Sequence, residues 1–447
     1  MKALKVKYND ISSSMRFNSG YHLSEGTIYL KKLRKMPHKE LDEITSNIFT
    51  AGRSKRVYTK EKYGYPYLSN SDVVRQRPFD DCKYNSKKYG YDEASFLKEG
   101  MVVTGRVGAI GQTAYITSEL EELKAMGSDN IIRILPNENE KSGFIYAFLA
   151  SKYGNTLLWK LAAGGVQPYI SEDMLRDMPI PKLTESKQQE IHNLIVEASN
   201  LRVEANKLLR EAQELVINGV NYTRTGLGNK VSVSSLINSH QSRFEAEYFI
   251  SEGMEIKQHI ETLNHKLLRD VSKPIFRPGI FKRHYVDNGI DFLGGSDIVR
   301  AIPRSDKKLS LAKTKHLNDL KIEEDWILVT CGGTIGFSVL VDEFMSGKTA
   351  SQHILRVIAD EIPTGYLFAF MSSKLGLRAI QSFTYGSVIP QIEPHHLELL
   401  PIPILEKDVM NQVHELIMKY KRNISTAINN ELKAIDLVEK EIESWQK

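Results

Sequence analysis

Between Ile191 and Leu215 the apolar residues return in steps of three and four: Ile191, Leu194, Ala198, Leu201, Ala205, Leu208, Ala212 and Leu215. Such alternating steps put every member on one stripe of an α-helix. The pattern predicts a helix over roughly 186–217, with Glu, Lys, Arg, Gln and Asn on its other faces. A second, less regular stripe, Ile417, Tyr420, Ile424, Ile428, Leu432, Ile435, Ile442 and Trp445, predicts a helix over roughly 407–445. Each apolar side is too narrow to stand alone. The helices are therefore expected to pack on each other as an antiparallel coiled coil; the alternative is that each docks on its own domain. About 32 helical residues span about 48 Å, enough for a rod-like spacer between globular parts.

Before each helix the pattern changes. Short β-type runs (Met101-Val102-Val103; Trp326-Ile327-Leu328-Val329) are broken by Gly clusters, and an apolar helical segment follows (Phe144 to Leu161; Tyr366 to Ile380). Next come GGVQPYISEDMLRDMPIPKL at 164–183 and GSVIPQIEPHHLELLPIPIL at 386–405. Two prolines around one isoleucine exclude a helix interior or a central strand, so Pro179-Ile180-Pro181 is expected to stop one element before the long helix starts.

These strings belong to a long repeat. Gly164, Val166, Pro168, Ile170, Leu175, Pro179, Ile180, Pro181, Leu183, His192 and Ile195 each match the residue 222 positions later. Upstream, Arg16-Phe17, Tyr21, Ile48-Phe49, Lys55-Arg56 and Tyr58 match residues 227 later, and Ser71-Asp72, Val74, Gly108, Ile110 and Gly111 match residues 225 later. A colinear series with so long a period means duplicated domains rather than a solenoid. The expected fold class is α+β: two tandem mixed α/β domains separated by two long helices, with a pseudo-twofold internal repeat. The boundaries expected are 1–183, a central helix in 184–222, 223–405, and a C-terminal helix in 406–447.

Composition adds little: 41% hydrophobic and 26% charged residues in 447, with a formal net charge of +5, permit a nucleic-acid partner without demanding one. The two cysteines, Cys82 and Cys331, suggest neither a disulfide framework nor a zinc site. No apolar run approaches the ~20 residues of a membrane helix, and the N-terminus lacks the apolar core of a signal peptide; a cytoplasmic protein without a membrane partner is expected. Catalytic signatures are missing too. Ser346-Gly347-Lys348-Thr349 resembles the end of a phosphate-binding loop, but Asp342 stands where that loop needs its first Gly, so a plain turn is expected. Gly105 to Gly111 lacks the spacing of a dinucleotide site, and His395-His396, being adjacent, point apart. A binding protein is favoured over an enzyme, with no cofactor and no metal site.

The candidate chemistry lies in two basic loops. The first carries Arg53, Lys55, Arg56, Lys60 and Lys62 interleaved with tyrosines such as Tyr58; the second, at the equivalent place, carries Arg277, Lys282, Arg283, His284 and Tyr285. Lys and Arg neutralise phosphates, and Arg also reads guanine edges. A solvated loop is the plain alternative, but recurrence in both copies favours DNA. Arg106 in the Gly turn, and Gln167 and Tyr169, which differ between the copies, complete the candidate DNA-binding set.

A unit ending in Met178-Pro179-Ile180-Pro181 or Leu400-Pro401-Ile402-Pro403 and followed by a long helix, twice in one chain, resembles the specificity subunit of type I restriction-modification systems. The resemblance covers essentially the whole chain. It implies two target-recognition domains, each reading half of a bipartite, asymmetric double-stranded DNA site. It implies spacer helices that set the gap between half-sites; about 48 Å is roughly one and a half DNA turns of ~34 Å. It also implies assembly with two methyltransferase subunits, and with restriction subunits in the full phage-defence complex. S-adenosylmethionine, ATP and Mg²⁺ would belong to those partners, the specificity subunit being non-catalytic. A drifted fused DNA-modification enzyme and a protein-binding coiled-coil scaffold are the alternatives.

Overall fold

The protein, seen here as a computed structural model, is described for residues 5–15, 17, 19–53, 55–108, 110–162, 167–224, 233–237, 246–386 and 390–445. Of the repeat matches and strings above, Arg16, 164–166, Arg243-Phe244 and 387–389 lie outside these residues. The chain forms two compact units, residues 1–203 with 426–447 and residues 204–425, so both long helices are divided between them.

In the first unit an antiparallel sheet runs in the order Thr45–Thr50, Ile131–Pro136, Val102–Gly105, Thr113–Tyr115. A second sheet runs Tyr58–Thr59, Lys83–Ser86, Gly64–Leu68, Met126–Gly127, its last pair parallel. The second unit repeats both. One sheet has the order Thr334–Leu340, Ile327–Gly332, Ile354–Val357; the other has Lys308–Leu309, Tyr285–Leu293, Thr349–Ala350, again with a parallel last pair.

Each apolar helical segment is two helices where the sequence suggests one: Ser142–Ala150 then Lys152–Leu161, and Thr364–Ser372 then Lys374–Gln381. The break is a serine. Ser151 and Ser373 adopt extended backbone, and their hydroxyls cap the next helix by accepting from Gly154 and Gly376. All residues from Gly143 to Ala150 and from Gly365 to Ser372 are buried. A helix apolar all round is a core helix, which hides the break from periodicity. The Pro-Ile-Pro strings are strands themselves, each in a two-stranded antiparallel ribbon with His38–Glu40 or His265–Leu267. A ribbon edge tolerates proline because no ladder N–H is missed there. Ile170 and Leu175 are fully buried, and the long helix starts at Glu185.

The helices cover Glu185–Val220 and Lys407–Ser444. Their buried seam is not quite the stripe read from hydrophobicity. In the first helix the buried positions are Ile191, Ile195, Ala198, Arg202, Ala205, Leu209, Ala212, Val216 and Val220, with Ser199 and Asn206 beside them; Leu194, Leu201, Leu208 and Leu215 are only half-buried. The face is rotated by one residue at every second step and includes a buried arginine, which no apolar stripe reveals. In the second helix Val413, Ile417, Tyr420, Ile424, Ala427, Glu431, Ala434, Val438 and Ile442 follow the same spacing. Within the first unit, Ile191 and Ile195 share a core with Ala434, Ile435, Val438 and Ile442 and with the helix Ser142–Ala150.

Candidate nucleic-acid interface

Both units build their candidate site on a buried arginine. Arg133 and Arg356 sit mid-strand in Ile131–Pro136 and Ile354–Val357 with no solvent exposure. Among the described residues no carboxylate lies within ion-pair distance of either guanidinium; backbone carbonyls cage it instead. Arg133 donates to Ser128, Ile131, Gly127 and Ser95 at 3.4, 2.9, 2.6 and 3.0 Å. Arg356 donates to Ser351, Ile354, Ala350 and Leu320 at 3.0, 2.5, 2.7 and 3.4 Å. Burial pulls both down to about 10, still well above neutral pH, so both remain cations there. In each unit three of the four carbonyls bracket one turn, which the arginine pins; at the tips the Asp129 side chain is 12% exposed and Gln352 9%, while His353 is exposed. The tips are Asp129-Asn130 and Gln352-His353, each between a serine and an isoleucine. Sequence reasoning missed both arginines because a charge inside a strand reads as exposed. One signal was there: Ile-Ile-Arg-Ile at 131–134 is echoed by Ile-Leu-Arg-Val at 354–357.

Over each turn lies an arginine of the basic loop. Arg56 bonds Asp129 at 2.8 Å and lies 5.5 Å from the centre of the Tyr67 ring. Arg283 bonds Gln352 at 3.2 Å and lies 5.7 Å from the Phe292 ring. The two constellations correspond residue for residue: a cation stacked on an aromatic ring and bonded to the tip of the pinned turn. Arg53 approaches the same carboxylate at 3.6 Å and is 87% exposed. Lys55, Lys60, Lys62 and Lys282 are exposed, as are Tyr58 and Tyr285. The Lys62 and Lys83 ammonium groups lie over the Tyr63 and Tyr58 rings. His284 is half-buried, and its carbonyl accepts from Ser310.

The Gly-x-Ile-Gly motif forms the neighbouring turn. Gly108, Gly111, Gly333 and Gly336 have φ of +77, +79, +76 and +89°, the left-handed region glycine enters without cost, while Ile110 and Ile335 are buried beneath. The Arg106 N–H donates to the Asn130 carbonyl, and the Cys331 N–H to that of His353, so each Gly turn is tied to its pinned turn. Tyr169 forms a backbone bridge with Val107, and Gln391 one with Gly332, which sets both beside the Gly turns. Tyr169 and Gln167 are exposed and Arg106 is half-buried. Arg277 differs from the rest: it pairs with Glu393 at 2.7 Å, which Tyr385 also reaches at 2.9 Å, a hydrogen-bonded internal cluster.

In the second unit these loops enclose a cavity of about 410 Å³, lined among others by Arg283, Tyr285, Lys307, Thr334, Ser351 and His353. The Ser-Gly-Lys-Thr segment is a turn with Gly347 at φ +81°. Its Lys348 lies 3.3 Å from the Phe344 ring centre and is pulled down by burial, a packed side chain rather than a phosphate ligand. His396 is buried and its Nδ1 accepts the Glu393 N–H at a helix start, while His395 is exposed; the two rings do not point apart as adjacency suggests, and their centres lie 4.1 Å from each other. Both cysteines are free thiols, pushed up to about 11 by burial. Among the described residues no helix is long and apolar enough to cross a membrane.

Comparison with known proteins adds the family. Among curated proteins there is no match. Solved structures similar to this chain include the type I restriction-modification system S subunit from M. genitalium, 10% identical over 90% of this chain and 95% of that one, with a TM-score of 0.36. They also include the HsdS subunit from Thermoanaerobacter tengcongensis, 11% identical over 90% and 94%, with a TM-score of 0.26. The model of the type I restriction modification DNA specificity domain matches twice, over residues 38–211 and 228–434. The two matches together cover most of the chain, which therefore belongs to the type I restriction-modification specificity family, with two tandem copies of its DNA specificity domain.

Proposed function

We propose that this chain is the non-catalytic DNA-recognition subunit of a cytoplasmic type I restriction-modification complex. Each domain reads one half of a bipartite, asymmetric duplex target, domain one lying within 1–183 and domain two within 223–405. The long helices pair antiparallel as the spacer and, with their flanks, dock two methyltransferase subunits; restriction subunits join in the full complex. The observation that carries this reading is the duplicated constellation: in both domains an exposed, ring-stacked arginine sits on the tip of an arginine-pinned turn, with further exposed cations around it. Exposed cations supply sequence-independent phosphate contact, and rigid turns of differing tip chemistry supply base selection. Antiparallel pairing is supported by the Arg202–Glu431 ion pair at 2.7 Å, which joins the first half of one helix to the second half of the other.

The test is methylome sequencing of a host that carries this chain with its partner methyltransferase. A methylated motif in two parts separated by an unspecified gap is expected. An unsplit motif, or methylation by the chain alone, would sink the proposal.

A further inference from the structure

We infer that the two pinned turns select opposite hydrogen-bond polarity on the base they face: Asp129 takes a base amino group, and Gln352 takes a base acceptor. This rests on the DNA-recognition reading above and names which residues decide the sequence.

The chemistry follows from the side chains. An ionised carboxylate only accepts hydrogen bonds. Asp129 gives one oxygen to Arg56 at 2.8 Å and has the other 3.6 Å from Arg53. Its side chain keeps 12% of its surface open and its lone pairs are not exhausted by these bonds, and the base edges that donate in the major groove are the amino groups of cytosine and adenine. Arg56, 46% exposed and held against Tyr67, keeps donors for the neighbouring guanine edge. Together they present an acceptor beside a donor fork, which complements one G·C pair: guanine O6 and N7 for Arg56, the cytosine amino group for Asp129.

Gln352 occupies the matching place in the second unit, bonded to Arg283 at 3.2 Å. Arginine has no acceptor, so the amide must turn its oxygen to Arg283. Gln352 is only 9% exposed and its amide nitrogen faces the other way, 3.4 Å from Nε2 of His353, which lines the cavity together with Arg283. That end of the residue donates, and it suits guanine O6 or N7, adenine N7 or thymine O4. Arg133 and Arg356 pin the two tips through the same carbonyl positions. The backbones are thus equivalent, and the difference in what they accept comes from one side chain.

The full chain, assembled with its methyltransferase partner, would be used to select from duplexes in which each target position is randomised in turn. Asp129→Gln is expected to change the preferred base at one position of the first half-site by about tenfold or more, leaving the second half-site as it was. Gln352→Asp is expected to do the reverse. The isosteric Asp129→Asn keeps the shape of the turn and is expected to lose the same single preference. Uniform weakening across all sequences in these variants would make the residues phosphate-side supports and overturn the inference, as would changes at positions in both half-sites. If the wild-type complex enriches no sequence at all, the recognition reading itself falls, and this inference with it; a wild type that selects a motif which none of the variants alters overturns only the inference.

Discussion

Four equivalent positions separate the two units. In the first they are polar: Arg202 pairs with Glu431 at 2.7 Å, and Tyr146 and Gln76 bond the same two side chains. The residues that correspond through the repeat are Ile424, Leu209, Phe368 and Ala301 in the second unit, and all four are apolar. Arg202, Glu431 and Tyr146 are as fully buried as Ile424, Leu209 and Phe368. One duplicated scaffold thus accepts either solution, because a buried ion pair with its remaining groups bonded and an apolar cluster of similar volume are close in free energy. What differs is tolerance. The apolar set accepts any well-packed neighbour, whereas the ionic set accepts only its own partners, and this fixes which helix segment belongs in the first unit.

The largest effect should come from breaking the ionic set on one side. Glu431→Leu removes the carboxylate that pairs with the buried Arg202 and should cost about 3–5 kcal/mol, read as a fall in the urea midpoint. Installing the second unit's residues together, Gln76→Ala, Tyr146→Phe, Arg202→Ile and Glu431→Leu, should bring stability back to within about 1 kcal/mol of the original. A quadruple variant as weak as the single one would show that the four positions are not interchangeable.

The pinned turns are the shared feature, so Arg133→Met and Arg356→Met should cost alike, about 3 kcal/mol each by denaturant unfolding, since each strands several buried carbonyls. Unequal losses would mean that the turns are not held in the same way. A smaller, again matched loss is expected where a core helix crosses a long one. A Cβ on Gly143 would lie 2.9 Å from the His192 carbonyl oxygen, and one on Gly365 would lie 2.9 Å from the same atom of His414. Gly143→Ala and Gly365→Ala should therefore each cost about 1–3 kcal/mol, measured by thermal melting.

The smallest effect is in pH. His192 Nδ1 accepts the Gly143 N–H at 3.1 Å, which requires a neutral ring. Burial, and then Lys141, hold its pKa below the ordinary 6.5. The unfolded chain takes up the proton first, so this stability is complete above about pH 6.5 and is lost as pH falls through the folded value. Melting temperature should decline on acidification below that point, and His192→Asn, whose amide oxygen can accept the same bond, should flatten the decline. An unchanged slope would remove His192 as its source.

The duplication, the long helices and the Gly turns were legible in the chain itself, for a common reason. Each rests on a local rule: heptad spacing for the helices, positive φ at Gly108, Gly111, Gly333 and Gly336 for the turns. The basic loops were legible as charge. What stayed hidden is every charge that the fold buries. Arg133, Arg356, Arg202 and Glu431 carry the side chains most often found on surfaces, and only the apolar neighbours of Arg133 and Arg356, repeated in both copies, say otherwise. The Ser151 and Ser373 breaks were hidden as well, because a helix buried on all sides has no periodicity to interrupt.

By itself, then, the sequence determined that the chain is built twice, where the long helices run and which loops are cationic, because these follow from spacing and composition along the backbone. Only the tertiary structure decided which of those cations face outward. It turned Arg277 onto Glu393, rotated the helix seam to admit Arg202, and placed Asp129 and Gln352 at equivalent tips under Arg56 and Arg283. Those outcomes depend on partners far apart in the chain, and the cost of burying a charge is met only where such partners converge.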